Sequence, residues 1–192
     1  NIFIKLSKKS LNLEHTNLLI SFLSDRYFSY FCATFYFIAT MNKVTYNGLT
    51  FRPYIKSDDI AQRVKEIANE IRNEFHDTVP LFVCVLNGAF PFASDLFRAV
   101  GIDAEIAFVK LKSYEGTSTT GKVKELLGLT DDIEGRTVII IEDIVDTGIT
   151  IEKLVSSLQA KKPKTLKVAS LLFKPDALRG NVKPDYVGFE IP

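Results

Sequence analysis

The stretch "TVIIIEDIVDTGIT", residues 137–150, decides how the rest of the chain is read. Val138 to Ile141 are four aliphatic residues in a row, the mark of a strand covered on both faces. Glu142 and Asp143 follow at once, then Asp146 and a Thr-Gly-Ile-Thr turn. Beyond the turn, Ile151, Leu154, Val155 and Leu158 recur at i, i+3, i+4 and i+7, one stripe of an amphipathic helix. Buried strand, acidic exit, small polar turn and helix make one βα unit.

Other units flank it. From Ser57, the apolar residues Ile60, Val64, Ile67, Ile71 and Phe75 predict a helix with Ser57 or Asp58 as N-cap. "PLFVCVL" (80–86) reads as a strand. "PFASDLFRAV" (91–100) reads as a helix with Pro91 in its first turn. "AEIAFVKL" (104–111), "LKVASLLFK" (166–174) and "DYVGFEI" (185–191) are further strands. Strand and helix in alternation predict an α/β fold, a doubly wound and mostly parallel sheet. Ligands of such sheets sit beyond the carboxyl ends of the strands.

Composition narrows the function classes. The 192 residues suit one α/β domain, and 24 Lys+Arg against 23 Asp+Glu leave no basic excess for nucleic acid. No run reaches the roughly 18 apolar residues of a membrane span. Cys32 and Cys84 stand far apart in no CxxC spacing, which favours a reducing, cytoplasmic setting over a disulfide. Residues 1–40 are a different text: they hold six Phe and three Tyr but no Gly or Pro, and the chain's one methionine, Met41, follows them. They read as a leader outside the native domain, which spans 41–192. Glu14, Asp25 and Arg26 break the apolar run that a signal peptide needs, and His15 in this segment reads as a bystander.

The chemistry lies at the strand exits. Amide N–H groups from Asp146 to Thr150 can converge on an anion at the positive end of a helix. Gly148 permits close backbone approach, and the Thr147 and Thr150 hydroxyls add donors. The result is a monophosphate cradle, and neither a Walker P-loop nor a GxGxxG turn is present. Carboxylates would repel a phosphate, so Glu142 and Asp143 must serve something else. A pair of vicinal ribose hydroxyls suits them, with Mg²⁺ to relieve the charge. The bland alternative is a solvated acidic turn capping a helix; the combination of features outweighs it.

Hydrophobic strand, Glu-Asp, two residues and Asp-Thr-Gly-x-Thr resembles the phosphoribosyl-pyrophosphate signature of type I phosphoribosyltransferases. Asp at 146 resembles the hypoxanthine-guanine branch. The resemblance covers 41–192 nearly end to end, and it assigns roles to the other exits. It implies that "LNGAF" (86–90) is the pyrophosphate loop, with backbone amides of Asn87 and Gly88 on the leaving group and a non-proline cis peptide at that pair. Ser113 and Tyr114 in "KSYEGTSTTGK" (112–122) match the pair that opens a mobile lid, which excludes water. Lys174 would donate to the 6-oxygen of a purine, favouring hypoxanthine or guanine over adenine.

The resemblance implies transfer of a 5-phosphoribosyl group from phosphoribosyl pyrophosphate to a 6-oxopurine, with release of pyrophosphate. Asp146 would take the proton from purine N7 as general base. Glu142, Asp143, Asp146, Thr147, Gly148, Ile149, Thr150, Asn87, Gly88, Ser113 and Tyr114 would bind phosphoribosyl pyrophosphate, Lys174 the purine, and Glu142 with Asp143 the Mg²⁺. Family members continue past "VGFEIP" with an aromatic for the purine, a metal-binding Asp and an Arg for pyrophosphate. The expected hood over the base is therefore incomplete in this chain, with phosphoribosyl pyrophosphate binding but poor or no turnover as the expected consequence. Ile149 stands where many relatives carry Lys, which removes a charge and leaves the backbone cradle. Relatives form homodimers or homotetramers. Rival readings are an enzyme for xanthine or adenine, and an RNA-binding regulator of this fold, which the balanced charge does not favour. The order of hypoxanthine, guanine and xanthine stays open on these residues.

Overall fold

The computed structural model describes residues 4–6, 44–46, 49–112 and 124–192. Most of the expected leader, with His15 and Cys32, lies outside them, as do Met41 and the lid pair Ser113 and Tyr114. The chain divides into two compact units, Asn1–Arg63 and Val64–Pro192. In the first, β1 (Ile4–Leu6), β2 (Val44–Tyr46) and β3 (Leu49–Pro53) form an antiparallel sheet in the order β1-β3-β2.

The helix α1 (Ser57–Phe75) begins in that unit and runs into the second. It buries Val64, Ile67, Ala68, Ile71 and Phe75, four of which belong to the stripe read from sequence. The second unit is built from β4 (Leu81–Leu86), α2 (Phe90–Val100), β5 (Glu105–Lys112), β6 (Lys124–Leu127), β7 (Thr137–Val145), α3 (Ile149–Gln159), β8 (Thr165–Phe173) and β9 (Tyr186–Glu190). Its sheet has the order β6-β5-β4-β7-β8-β9. Every pairing is parallel except β5 with β6, so the expected mostly parallel sheet carries one antiparallel edge strand.

The apolar runs of β4 and β7 sit at the middle of this sheet, and Leu81 to Val85 and Val138 to Ile141 are all buried. Alternate side chains divide between two faces. Leu81, Val83, Val138, Ile140 and Val168 pack with Ile151, Leu154 and Leu158 of α3. On the opposite side, Phe82 meets Phe97 of α2 edge-on, with ring centroids 5.9 Å apart. Each aliphatic side chain buried this way contributes about 1.5–3 kcal/mol. Helix α2 stops at Gly101, whose φ of 64° is the left-handed conformation glycine adopts freely. Arg72 of α1 donates Nε to the Val100 carbonyl at 2.7 Å, satisfying an acceptor at that helix end.

Candidate functional site

The strand order fixes where a site can form. From β4 the chain moves through α2 to β5 on one side, whereas β7 joins β4 on the other, so their carboxyl ends flank a topological switch point. Pairing of β7 with β4 stops at Ile141, opposite Cys84, but pairing with β8 continues to Val145. Glu142 and Asp143 therefore do not mark the end of the strand, as sequence suggested. They lie on a strand that has lost one neighbour, and the vacated flank is taken by the turn after β4.

That turn is pressed onto Asp143. A Cβ at Gly88 would collide with Oδ2 of Asp143 and lie 2.6 Å from its Cγ, so any larger residue would have to displace that carboxylate. The peptide Leu86–Asn87 is cis, one bond before the Asn87–Gly88 pair where the resemblance placed it. Lys110, level with Leu86 in the parallel register, donates Nζ to Asn87 Oδ1 at 3.5 Å. Sequence reading passed over Lys110, because only the register of β4 and β5 brings it to this loop.

Both acids are half-buried, and Glu142 lines the cleft described below. Asp143 Oδ1 accepts the Ile144 amide at 2.9 Å, and Glu142 Oε1 accepts the Asp143 amide at 3.2 Å. Burial, and next the charge of Asp143, raise the Glu142 carboxyl well above the usual carboxylate range. Burial, then Glu142 and Asp143, push the Cys84 thiol up to about 12. Cys84 is thus a neutral core thiol, in line with its place in β4 and its free, buried state.

The turn into α3 supplies the rest. Glu142, Asp146, Gly148 and Thr150 line one cleft, floored by Ile144, Val145 and Ile151. Asp146 Oδ1 accepts both the Thr147 amide and, at 3.3 Å, the Thr147 hydroxyl. A helix start leaves its first amides without intrahelical partners, and here these run on from Gly148. Gly148 has φ 75° and a neighbour, Leu178 Cδ1, 2.6 Å from where a Cβ would lie. Ile149 exposes its side chain and takes no part in lining the cleft, so only its amide can serve a ligand.

Lys174 follows β8, and its amide donates to the Val145 carbonyl at 2.9 Å, bringing it beside the head of β7. It is 8 % exposed, and its ammonium makes no hydrogen bond or ion pair with the described residues. No side-chain nitrogen or oxygen among the described residues is both buried and unpartnered, so this ammonium keeps an opening to solvent. A largely buried amine held open in this way suits a ligand oxygen. Ser113 and Tyr114, assigned to the lid, lie outside the described residues.

A family model described as a phosphoribosyl transferase domain matches residues 55–192. Hypoxanthine-guanine phosphoribosyltransferase of Bacillus subtilis (strain 168) is 40% identical over 139 residues, covering 72% of this chain and 77% of that protein. The crystal structure of a hypoxanthine-guanine phosphoribosyltransferase from Bacillus anthracis, with HEPES in its active site, superposes with a TM-score of 0.67 at 38% identity, covering 72% of this chain and 80% of that one. The Trypanosoma cruzi hypoxanthine phosphoribosyltransferase in complex with its product IMP gives a TM-score of 0.66 at 33% identity, covering 70% and 77%.

Proposed function

The chain belongs to the phosphoribosyltransferase family, and on that premise we propose that it works in purine salvage, making IMP or GMP from hypoxanthine or guanine. The 5-phosphoribosyl group passes from phosphoribosyl pyrophosphate to a purine ring nitrogen. The bond from the anomeric carbon to the pyrophosphate oxygen breaks as the carbon–nitrogen bond forms, and the purine loses the proton on N7. The observation that carries this reading is the meeting of Glu142, Asp146, Gly148 and Thr150 in one cleft at the switch point, with Gly88 packed on Asp143.

Each group has a task in that reaction. Amides from Gly148 to Thr150, at the positive end of α3, receive the 5-phosphate, and the Thr150 hydroxyl adds a donor. Glu142 and Asp143 hold the ribose hydroxyls. Asp146 engages Thr147 through Oδ1, which fixes the carboxylate and leaves Oδ2 to take the N7 proton. Lys174 donates to the 6-oxygen. Adenine carries an amino group there and cannot accept, so the site discriminates against it. The amides of Asn87 and Gly88 are assigned to the departing pyrophosphate, and the lid is assigned to Ser113 and Tyr114, which lie outside the described residues.

Enzymes of this family use a metal ion, and we assign Mg²⁺ to Glu142 and Asp143. Among the described residues no three acids, histidines or cysteines form a complete metal cage. Two adjacent carboxylates fit a hard cation that keeps oxygen ligands from substrate and water. Burial, and next the charge of Asp143, raise the Glu142 carboxyl, and a cation beside the pair would offset the second of these. A metal ion held by Glu142 and Asp143 would supply positive charge to stabilise the pyrophosphate as it leaves. Among the described residues no helix is long and apolar enough to cross a membrane; with the free Cys84, a cytoplasmic setting is the reading we favour.

The test is to mix the chain with labelled phosphoribosyl pyrophosphate and Mg²⁺, offering hypoxanthine, guanine, xanthine and adenine in turn. Nucleotide from hypoxanthine or guanine, and none from adenine, is expected. Transfer to adenine would remove Lys174 from its role, and transfer to no base would reject the proposed reaction for this chain.

A further inference from the structure

The segment that follows Lys174 is tied repeatedly to the loop that holds the sugar phosphate. The Arg179 and Gly180 amides both donate to the Thr147 carbonyl, at 2.9 and 3.0 Å. A Cβ at Gly180 would lie 3.2 Å from the Gly148 carbonyl group and 3.0 Å from Glu152 Oε2. Leu178 covers Gly148 itself. The last tie is made by a side chain. Glu152, in the first turn of α3, accepts Asn181 Nδ2 at 3.0 Å and the Asn181 amide at 3.3 Å, both on Oε1.

We propose that Glu152 is a positioning residue that clamps residues 178–181 over the phosphate loop, so that the loop and Lys174 keep a fixed separation across the substrate pair. The proposal rests on the reading of the site given above. Its physical basis is the arrangement of the ties. Lys174 N is bonded to Val145 and residues 179–180 to Thr147, so the chain leaves the site at Lys174 and returns to it five residues later. The backbone bonds hold the chain close to the loop, but they leave it free to hinge about the Thr147 carbonyl. Glu152 supplies a second point of attachment one helical turn away, which removes the hinge.

A carboxylate in the first turn of a helix also competes with a phosphate for the same positive helix end. Glu152 has Oε1 occupied by Asn181 and does not line the cleft. The acceptor geometry rather than the charge is therefore what the clamp needs. Glutamine at this position keeps an oxygen for Asn181, whereas alanine keeps nothing.

Three variants of the full chain separate these cases by steady-state kinetics. Glu152→Ala is expected to raise KM for phosphoribosyl pyrophosphate and for the purine together, by about 3- to 10-fold, the size of one ordinary net hydrogen bond at a solvent-exposed contact. Its kcat should change less than twofold, because no reacting group is touched. Glu152→Gln should stay within twofold of wild type in both constants. Asn181→Asp sets like charges face to face and should reproduce the alanine phenotype; adding Glu152→Gln to it should restore both KM values. Thermal melts run alongside: a fall in Tm with both KM values unchanged in Glu152→Ala and Asn181→Asp would make the contact merely structural and overturn the proposal. An active wild type with unaffected variants sinks the clamp alone. A wild type inactive with every base sinks the reaction first and the clamp with it.

Discussion

The two ends of the central sheet treat their acids in opposite ways. At the amino end, Glu74 and Asp185 are both answered. Lys167 reaches Asp185 at 3.1 Å and Glu74 at 3.6 Å, the Tyr186 hydroxyl donates to Glu74, and Asp185 accepts the Val168 amide at 2.8 Å. At the carboxyl end, Glu142, Asp143 and Asp146 stand together, and their described partners are amides, a hydroxyl and one another. The first set joins α1 to β8 and β9 and is complete as it stands. The second set holds no cation among its described partners, the arrangement that the proposed site would use to receive a ligand.

The largest effect that separates the two ends is on turnover. Asp146→Asn should lower kcat by roughly 10- to 1000-fold, within the 10²–10⁴ typical of general acid–base groups or just below it. The asparagine retains an oxygen for the Thr147 amide, so the turn and the melting temperature should hold. Unchanged turnover would take Asp146 out of the proton transfer and reduce the carboxyl end to binding alone.

A second contrast lies in the response to pH. Because Glu142 is raised in the folded chain, that chain holds a proton the unfolded chain has released above about pH 4.5, the ordinary value for this group. The stabilisation is complete below that point and fades as pH rises through the folded value. Glu142→Gln should therefore raise Tm of the ligand-free chain at neutral pH by a few degrees and flatten its fall as pH rises above about 4.5. The same change should weaken phosphoribosyl pyrophosphate binding, since an uncharged amide is a poorer partner for the diol and for a cation. Melts of wild type and variant across that range decide it. Parallel curves would mean that Glu142 is not held protonated by its surroundings.

The carboxyl end was far more legible from sequence than the amino end, and the reason is locality. Val138–Thr150 carries strand, acids, turn and helix start in fourteen or fewer consecutive positions, so one window displays the site. The helix stripe of α1 and the buried runs of β4, β7 and β8 are local in the same sense, and each was placed within a residue or two. Where a role depends on a distant partner, the sequence is silent. Lys110 meets Asn87 only through the β4–β5 register, Gly88 is required by Asp143 across the switch point, and Glu152 answers Asn181, 29 positions on. Strand β6 is four residues with no alternation of its own, a strand because β5 is beside it. The extension of β7 to Val145 was missed because acids at a strand end look like a stop, while β8 continues the ladder past them.

The smallest effect belongs to the amino end and is the control for the other two. Tyr186 is 5 % exposed, and burial together with the Glu74 carboxylate raises its phenol, so it stays a neutral donor throughout the working pH range. Tyr186→Phe removes that donor without changing the packed ring. Glu74 keeps Lys167 and an opening to water, so the loss should be one hydrogen bond to a charged acceptor, about 1–2 kcal/mol. In a chain of this size that is a fall in Tm of roughly 2–8 °C, taking about 2–4 °C for each kcal/mol. Both KM values and kcat should match wild type, because the network lies at the opposite end of β8 from Lys174. If Tyr186→Phe changed KM, the two ends of the sheet would be coupled through β8. The separation between a satisfied structural network and an unsatisfied functional one would then fail for this protein.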